Sequence, residues 1–217
     1  MKQRFWIVAV VALAACVALT GQVMSQEGKK PEMPPGMPDM QEMMKAWAAV
    51  KDPGAGHKKL EPLVGTWETT SRMYMGGPGT PPTETHGSAT VKWILGGRFI
   101  QEDFKGQIIM PDPSGQMKPG SFEGMGLTGH DNFRNVYNGT WVDSMGTCML
   151  SFSGTSDPQG KDFNFYGQMD EPGMKMAGRT IRYHTRIIDN DKHVFEMYDL
   201  AAGPDYKVFE ITYTRKK

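Results

Sequence analysis

Ala89-Thr90-Val91-Lys92-Trp93-Ile94-Leu95-Gly96-Gly97-Arg98-Phe99-Ile100-Gln101-Glu102-Asp103-Phe104 is two alternating runs joined by a glycine pair. Gly96-Gly97 can supply the positive φ angles of a two-residue type I′ turn, so the runs read as a β-hairpin. Its register follows. With Leu95 opposite Arg98, Trp93 faces Ile100, Val91 faces Glu102 and Ala89 faces Phe104 on one side of the sheet; Lys92, Gln101, Thr90 and Asp103 occupy the other. The first side is mostly apolar and is expected to point inward. Arg98 and Glu102 are then charges aimed at an apolar interior, which tolerates them only when paired or hydrogen-bonded.

The same alternation, broken by Gly, Asn, Asp and Pro turns, continues from Leu60 to Arg215. It predicts ten strands, at about 66–75, 83–95, 98–109, 122–130, 135–143, 147–154, 161–169, 179–188, 193–200 and 205–215, with the short connections of a meander. The expected fold is all-β: one antiparallel up-and-down barrel over 57–217. A second hairpin, about Asn190-Asp191, sets Ile187 against Val194, Thr185 against Glu196, Tyr183 against Tyr198 and Ile181 against Leu200. Glu196 then lies between tyrosines on the inner face, and a three-residue turn would reverse the faces.

Ahead of the barrel, Lys2 and Arg4 precede an apolar run at 5–19 and small or polar residues through Val23-Met24-Ser25. This is a signal-peptide layout, too short for a spanning helix of about 20 residues, with a cut expected after Ser25. The chain is thus expected to be exported, to the periplasm or outside the cell. Leu13-Ala14-Ala15-Cys16 offers a rival, a lipobox whose acylated cysteine would anchor the protein to a membrane, but Val17-Ala18-Leu19 continues the apolar run past it. Residues 26–56 form a Pro- and Met-rich linker. Within it Asp39 can cap a short helix at 40–49, ended by Asp52-Pro53-Gly54.

The 24 basic residues balance 24 acidic ones, and loss of Lys2 and Arg4 leaves the remainder slightly acidic, so no nucleic-acid partner is expected. Without the leader, Cys148 is the one cysteine left, and no internal disulfide can form.

Several blocks carry a family likeness. They are Pro53-Gly54-Ala55-Gly56-His57-Lys58-Lys59-Leu60, Leu63-Val64-Gly65-Thr66-Trp67-Glu68, Leu95-Gly96-Gly97-Arg98-Phe99, Gly129-His130-Asp131-Asn132, Tyr137 with Trp141-Val142-Asp143-Ser144, and Tyr213-Thr214-Arg215. In this order they resemble the bacterial domain-of-unknown-function family fifteen seventy-nine over about 53–215, with His130 where that family more often has tyrosine. The likeness implies no established activity. More distantly, Gly65-Thr66-Trp67 with a terminal Arg215 is similar to the lipocalin and other calycin barrels. That resemblance implies a tryptophan plugging the closed end with an arginine across its face.

Candidate chemistry is sparse. His57, His86 and His130 fall at turns or strand edges, and His184 and His193 are about 13 Å apart along the ladder, too far to share a metal. A haem barrel of the nitrobindin kind would need an axial histidine near the final strands, and none follows His193. Met33, Met37, Met40, Met43 and Met44 could offer soft thioether ligands to Cu(I), although methionine more commonly fills an adaptable apolar face. Glu102 and Glu196 could serve a hydrolase as lumen carboxylates; the plainer role for each is to neutralise an inward arginine such as Arg98. No nucleophile elbow or phosphate loop is present. The leading expectation is a barrel that holds a small apolar molecule without catalysis. Trp93, Ile100, Tyr183 and Tyr198 are its expected walls, and Arg98, Glu102 and Glu196 its polar contacts. No cofactor or resident metal is expected. The remaining alternative is a barrel filled by its own side chains.

Overall fold

A computed structural model describes residues 36–112 and 114–217. The leader, its cleavage site, Cys16, Met33 and most of the proline-rich linker lie outside the described residues. Of the described residues, 36–43 fall in one unit and Met44–Lys217 in another. Helix α1 (Met40–Val50) begins where expected, with Asp39 Oδ1 accepting from Glu42 N at 2.8 Å, and buries none of its residues.

After α2 (Ala55–Lys58) and a 3-10 turn (Glu61–Leu63) come ten strands among the described residues. They are β1 (Gly65–Met73), β2 (Thr83–Ile94), β3 (Phe99–Pro111), β4 (Met117–Asp131), β5 (Val136–Asp143), β6 (Leu150–Ser156), β7 (Asp162–Glu171), β8 (Met176–Asp189), β9 (Lys192–Asp199) and β10 (Lys207–Arg215). Each pairs antiparallel with its neighbour in sequence, and β1 pairs with β10 to close the barrel. Closure gives every strand a neighbour on both sides, and the β3–β4 hairpin runs on past it, since β2 leaves β3 at Gly106 and β5 leaves β4 at Gly124.

The β2–β3 register is the expected one: Trp93 opposite Ile100, Val91 opposite Glu102, Ala89 opposite Phe104. The ladder, however, stops at Ile94–Phe99, because Leu95, Gly96 and Gly97 all take positive φ and make a longer turn. The β8–β9 register differs from expectation. A bulge at Ile188 sets Ile187 against His193, Tyr183 against Met197 and His184 against Glu196. One displaced residue turns β9 over. His193, Phe195 and Met197 therefore share the inner face, and Glu196 and Tyr198 the outer one.

One end of the barrel is plugged. Trp67 is fully buried, gives its indole N–H to Leu63 O at 3.0 Å, and carries the Arg215 guanidinium 4.1 Å above its ring. Arg215 also donates to Val64 O and Pro62 O, so it ties the last strand to the segment preceding the first. Tyr137 OH donates to Gly56 O at 2.9 Å, and Lys59 reaches Ser156 and Asp157 at another loop of that end.

Candidate functional site

Ladder alternation gives every strand an inner row, and on several strands that row contains glycine. Trp141 on β5 lies across Gly124 and Gly126 of β4; a Cβ on Gly124 would fall on its ring, and one on Gly126 would come within 3.0 Å of it. Phe152 on β6 covers Gly139 of β5 in the same manner, and Gly167 of β7 lies beneath its Cβ. The missing side chains let these rings lie against the wall. Inward Phe122, Trp141, Phe152, Phe195, Met197 and Phe209 pack on the core yet remain only partly buried, so the inner face keeps accessible apolar surface.

Glu102 is the carboxylate within this surface. It sits one inner row from the plug, and Tyr213 OH donates to its Oε1 at 2.9 Å. The carboxyl is buried on the inner face, while the residue as a whole is half-buried. Burial pushes the carboxyl up to about 7, against the lowering effect of the Tyr213 hydrogen bond and with a further push from Asp103. The expected arginine partner is absent: no cation among the described residues lies within ion-pair distance of Glu102. Burial, with the Glu102 charge beside it, raises the Tyr213 phenol well above its ordinary value. Tyr213 stacks on His193 at 4.2 Å, and burial, with Arg215 nearby, lowers that imidazole to about 3 and keeps it neutral. The buried Thr69 Oγ1, Tyr183 hydroxyl and His193 Nδ1 have no hydrogen-bond partner among the described residues.

The remaining expected site residues divide between the two faces. Ile100 and Tyr183 are buried on the inner face, and burial pushes the Tyr183 phenol up to about 12. Trp93 points inward at the plugged end and donates to Glu61 Oε2 at 2.7 Å. Arg98 does not enter the lumen: the positive-φ turn frees it from the ladder, and it donates to Lys51 O and Leu95 O beside Asp52. Glu196 lies outside, held by Lys207, His184 and Arg186, and Tyr198 lies under the Arg182 guanidinium at 4.2 Å. Glu102 and Glu196 thus face opposite sides of the wall and cannot act as an acid/base pair. His184 is outside and His193 inside. Met37, Met40 and Met44 are exposed.

The outer wall carries a belt of charges instead. It runs from Asp162 through His184 to Glu196, Lys207, Glu210, Arg72 and Glu84, crossing from β7 to β2. Sequence reasoning missed Tyr213, Phe195 and Met197 as lumen residues. The signal for the last two was the outer charge match, since His184 and Arg186 on β8 need Glu196 on their own face.

A family model described as protein of unknown function (DUF1579) matches residues 52–215. No curated protein matches the chain. Among solved structures, Rv2717c from M. tuberculosis is similar over 76% of this chain and 100% of its own, at 15% identity and a TM-score of 0.52, which supports the barrel fold. An S-type phycobiliprotein lyase, CPES from Guillardia theta, aligns over 76% of this chain and 99% of its own at 11% identity and a TM-score of 0.43.

Proposed function

This chain belongs to the DUF1579 family of proteins of unknown function, and on that footing we propose that its barrel is a receptor for a small, largely apolar molecule held in the lumen. The observation that supports this reading is the inner wall. Its aromatic rings lie flat over glycines and retain accessible apolar surface around one buried carboxyl without an ionic partner. Binding sites for small molecules have this composition, mostly apolar with a few placed polar groups. Ile100 and Tyr183, with Trp141, Phe152, Phe195 and Met197, would be the walls. Glu102, oriented by Tyr213, would be the polar contact. Native mass spectrometry of purified protein should reveal a retained small molecule, or saturable uptake of an apolar dye that is lost on adding an apolar competitor. A lumen that takes up neither is filled by its own side chains. We also infer that the leader exports the protein, so that the molecule is taken up outside the cytoplasm.

A further inference from the structure

We propose that the lumen selects an amine on an apolar body, with its ammonium group paired to Glu102. This inference rests on the receptor reading and names the ligand class for it. Inward-facing cations among the described residues are already committed. Arg179 is held by Asp199 in a mostly buried pair, and Arg215 lies over Trp67 and binds backbone carbonyls.

A ligand carboxylate therefore meets no uncommitted cation inside, and it does meet Glu102. A ligand ammonium meets the reverse. Glu102 accepts from Tyr213 through Oε1, while Oε2 has no hydrogen bond among the described residues. The Tyr183 hydroxyl, nine-tenths or more buried on the inner face of β8, is likewise unpartnered. Aromatic faces along the walls favour a cation over an anion for a second reason, the negative potential of the ring face. In a poorly solvated interior these preferences act at full strength, because an unpaired buried charge is heavily penalised.

The test uses three probes with one chain: decylamine, decanol and decanoate, each below its micelle concentration. They are titrated into the full-length protein at pH 8, and binding is followed by calorimetry. Decylamine should bind at least tenfold tighter than decanol, with decanoate weakest. Glu102→Gln should abolish the preference, so that within that variant decylamine binds no tighter than decanol. Tyr213→Phe, which keeps the carboxylate, should retain the amine preference, so that a poorly folded Glu102→Gln does not end the test. Equal or tighter binding of decanol or decanoate in the wild type would overturn the inference, as would an amine preference that survives Glu102→Gln. If none of the three binds, the receptor reading itself fails.

Discussion

Trp67 shows how much one side chain can hold. Completely buried, it carries Arg215 on one face and meets His193 edge-on at 4.4 Å. Trp67→Ala should therefore lower stability by about 3–5 kcal/mol in urea unfolding. Arg215→Ala should cost less, and the double mutant less than the sum, because the two lose one shared contact. Strict additivity would show that the ring and the guanidinium do not support each other.

Glu102 makes a prediction of a different kind. Its carboxyl sits near 7 in the folded state against an ordinary 4.5, so between those values the folded protein binds more protons than the unfolded chain. Stability should then fall as pH rises through this window and level off above it, by on the order of 3 kcal/mol at most. Glu102→Gln can still accept from Tyr213 and should flatten that slope, measurable as melting temperature against pH. Trp67, Arg215 and the inward Glu102 were legible in the sequence because each lies in a short motif or beside a constrained turn. The missing partner of Glu102 was not, since Arg98 leaves the ladder only through the backbone of its turn.

Among the strands, legibility followed the turns. A glycine pair between two alternating runs leaves little choice of register, and β2–β3 came out as read. Asn190-Asp191 leaves room for a bulge, and the one at Ile188 carried Glu196 and Tyr198 out of the expected lumen. The prolines and glycines around β3 and β4 also hid the outer reach of both strands, which pair as far as Pro111 and Met117. Substitutions at two places probe these elements. Gly124→Ala places a methyl on the Trp141 ring, whose atoms are the three nearest to it, and should drive the ring across the lumen, reducing dye capacity more than stability. On the outer belt, Glu196 lies directly opposite Glu210, and Lys207 bonds both, at 3.1 and 2.6 Å. Burial alone would lower the Lys207 ammonium, but these two carboxylates raise it above its ordinary value. Lys207→Met should leave two like charges facing and cost about 2 kcal/mol in urea unfolding. Adding Glu210→Gln should restore part of the loss.

For the whole molecule, the leader makes the nearest prediction: the mature chain should begin at Gln26, read by N-terminal sequencing of exported protein. Fatty-acid labelling that disappears on Cys16→Ser would establish the anchored form instead. Within the barrel, an even number of strands brings the start of β1 and the end of β10 together at the plug, where Trp67 pairs with Arg215. Among the described strands that seam alone joins residues at nearly opposite ends of the barrel sequence, whereas the other pairings are hairpins. Closing it incurs the largest chain-entropy penalty and should limit the folding rate. A circular permutant that links Lys217 to the segment before β1 and opens the chain in the loop between β9 and β10 makes that seam a local contact but passes the long-range closure to β9 and β10. It should therefore refold at about the natural rate; a permutant that refolds many times faster would show that the β1–β10 seam, and not closure as such, is the slow step.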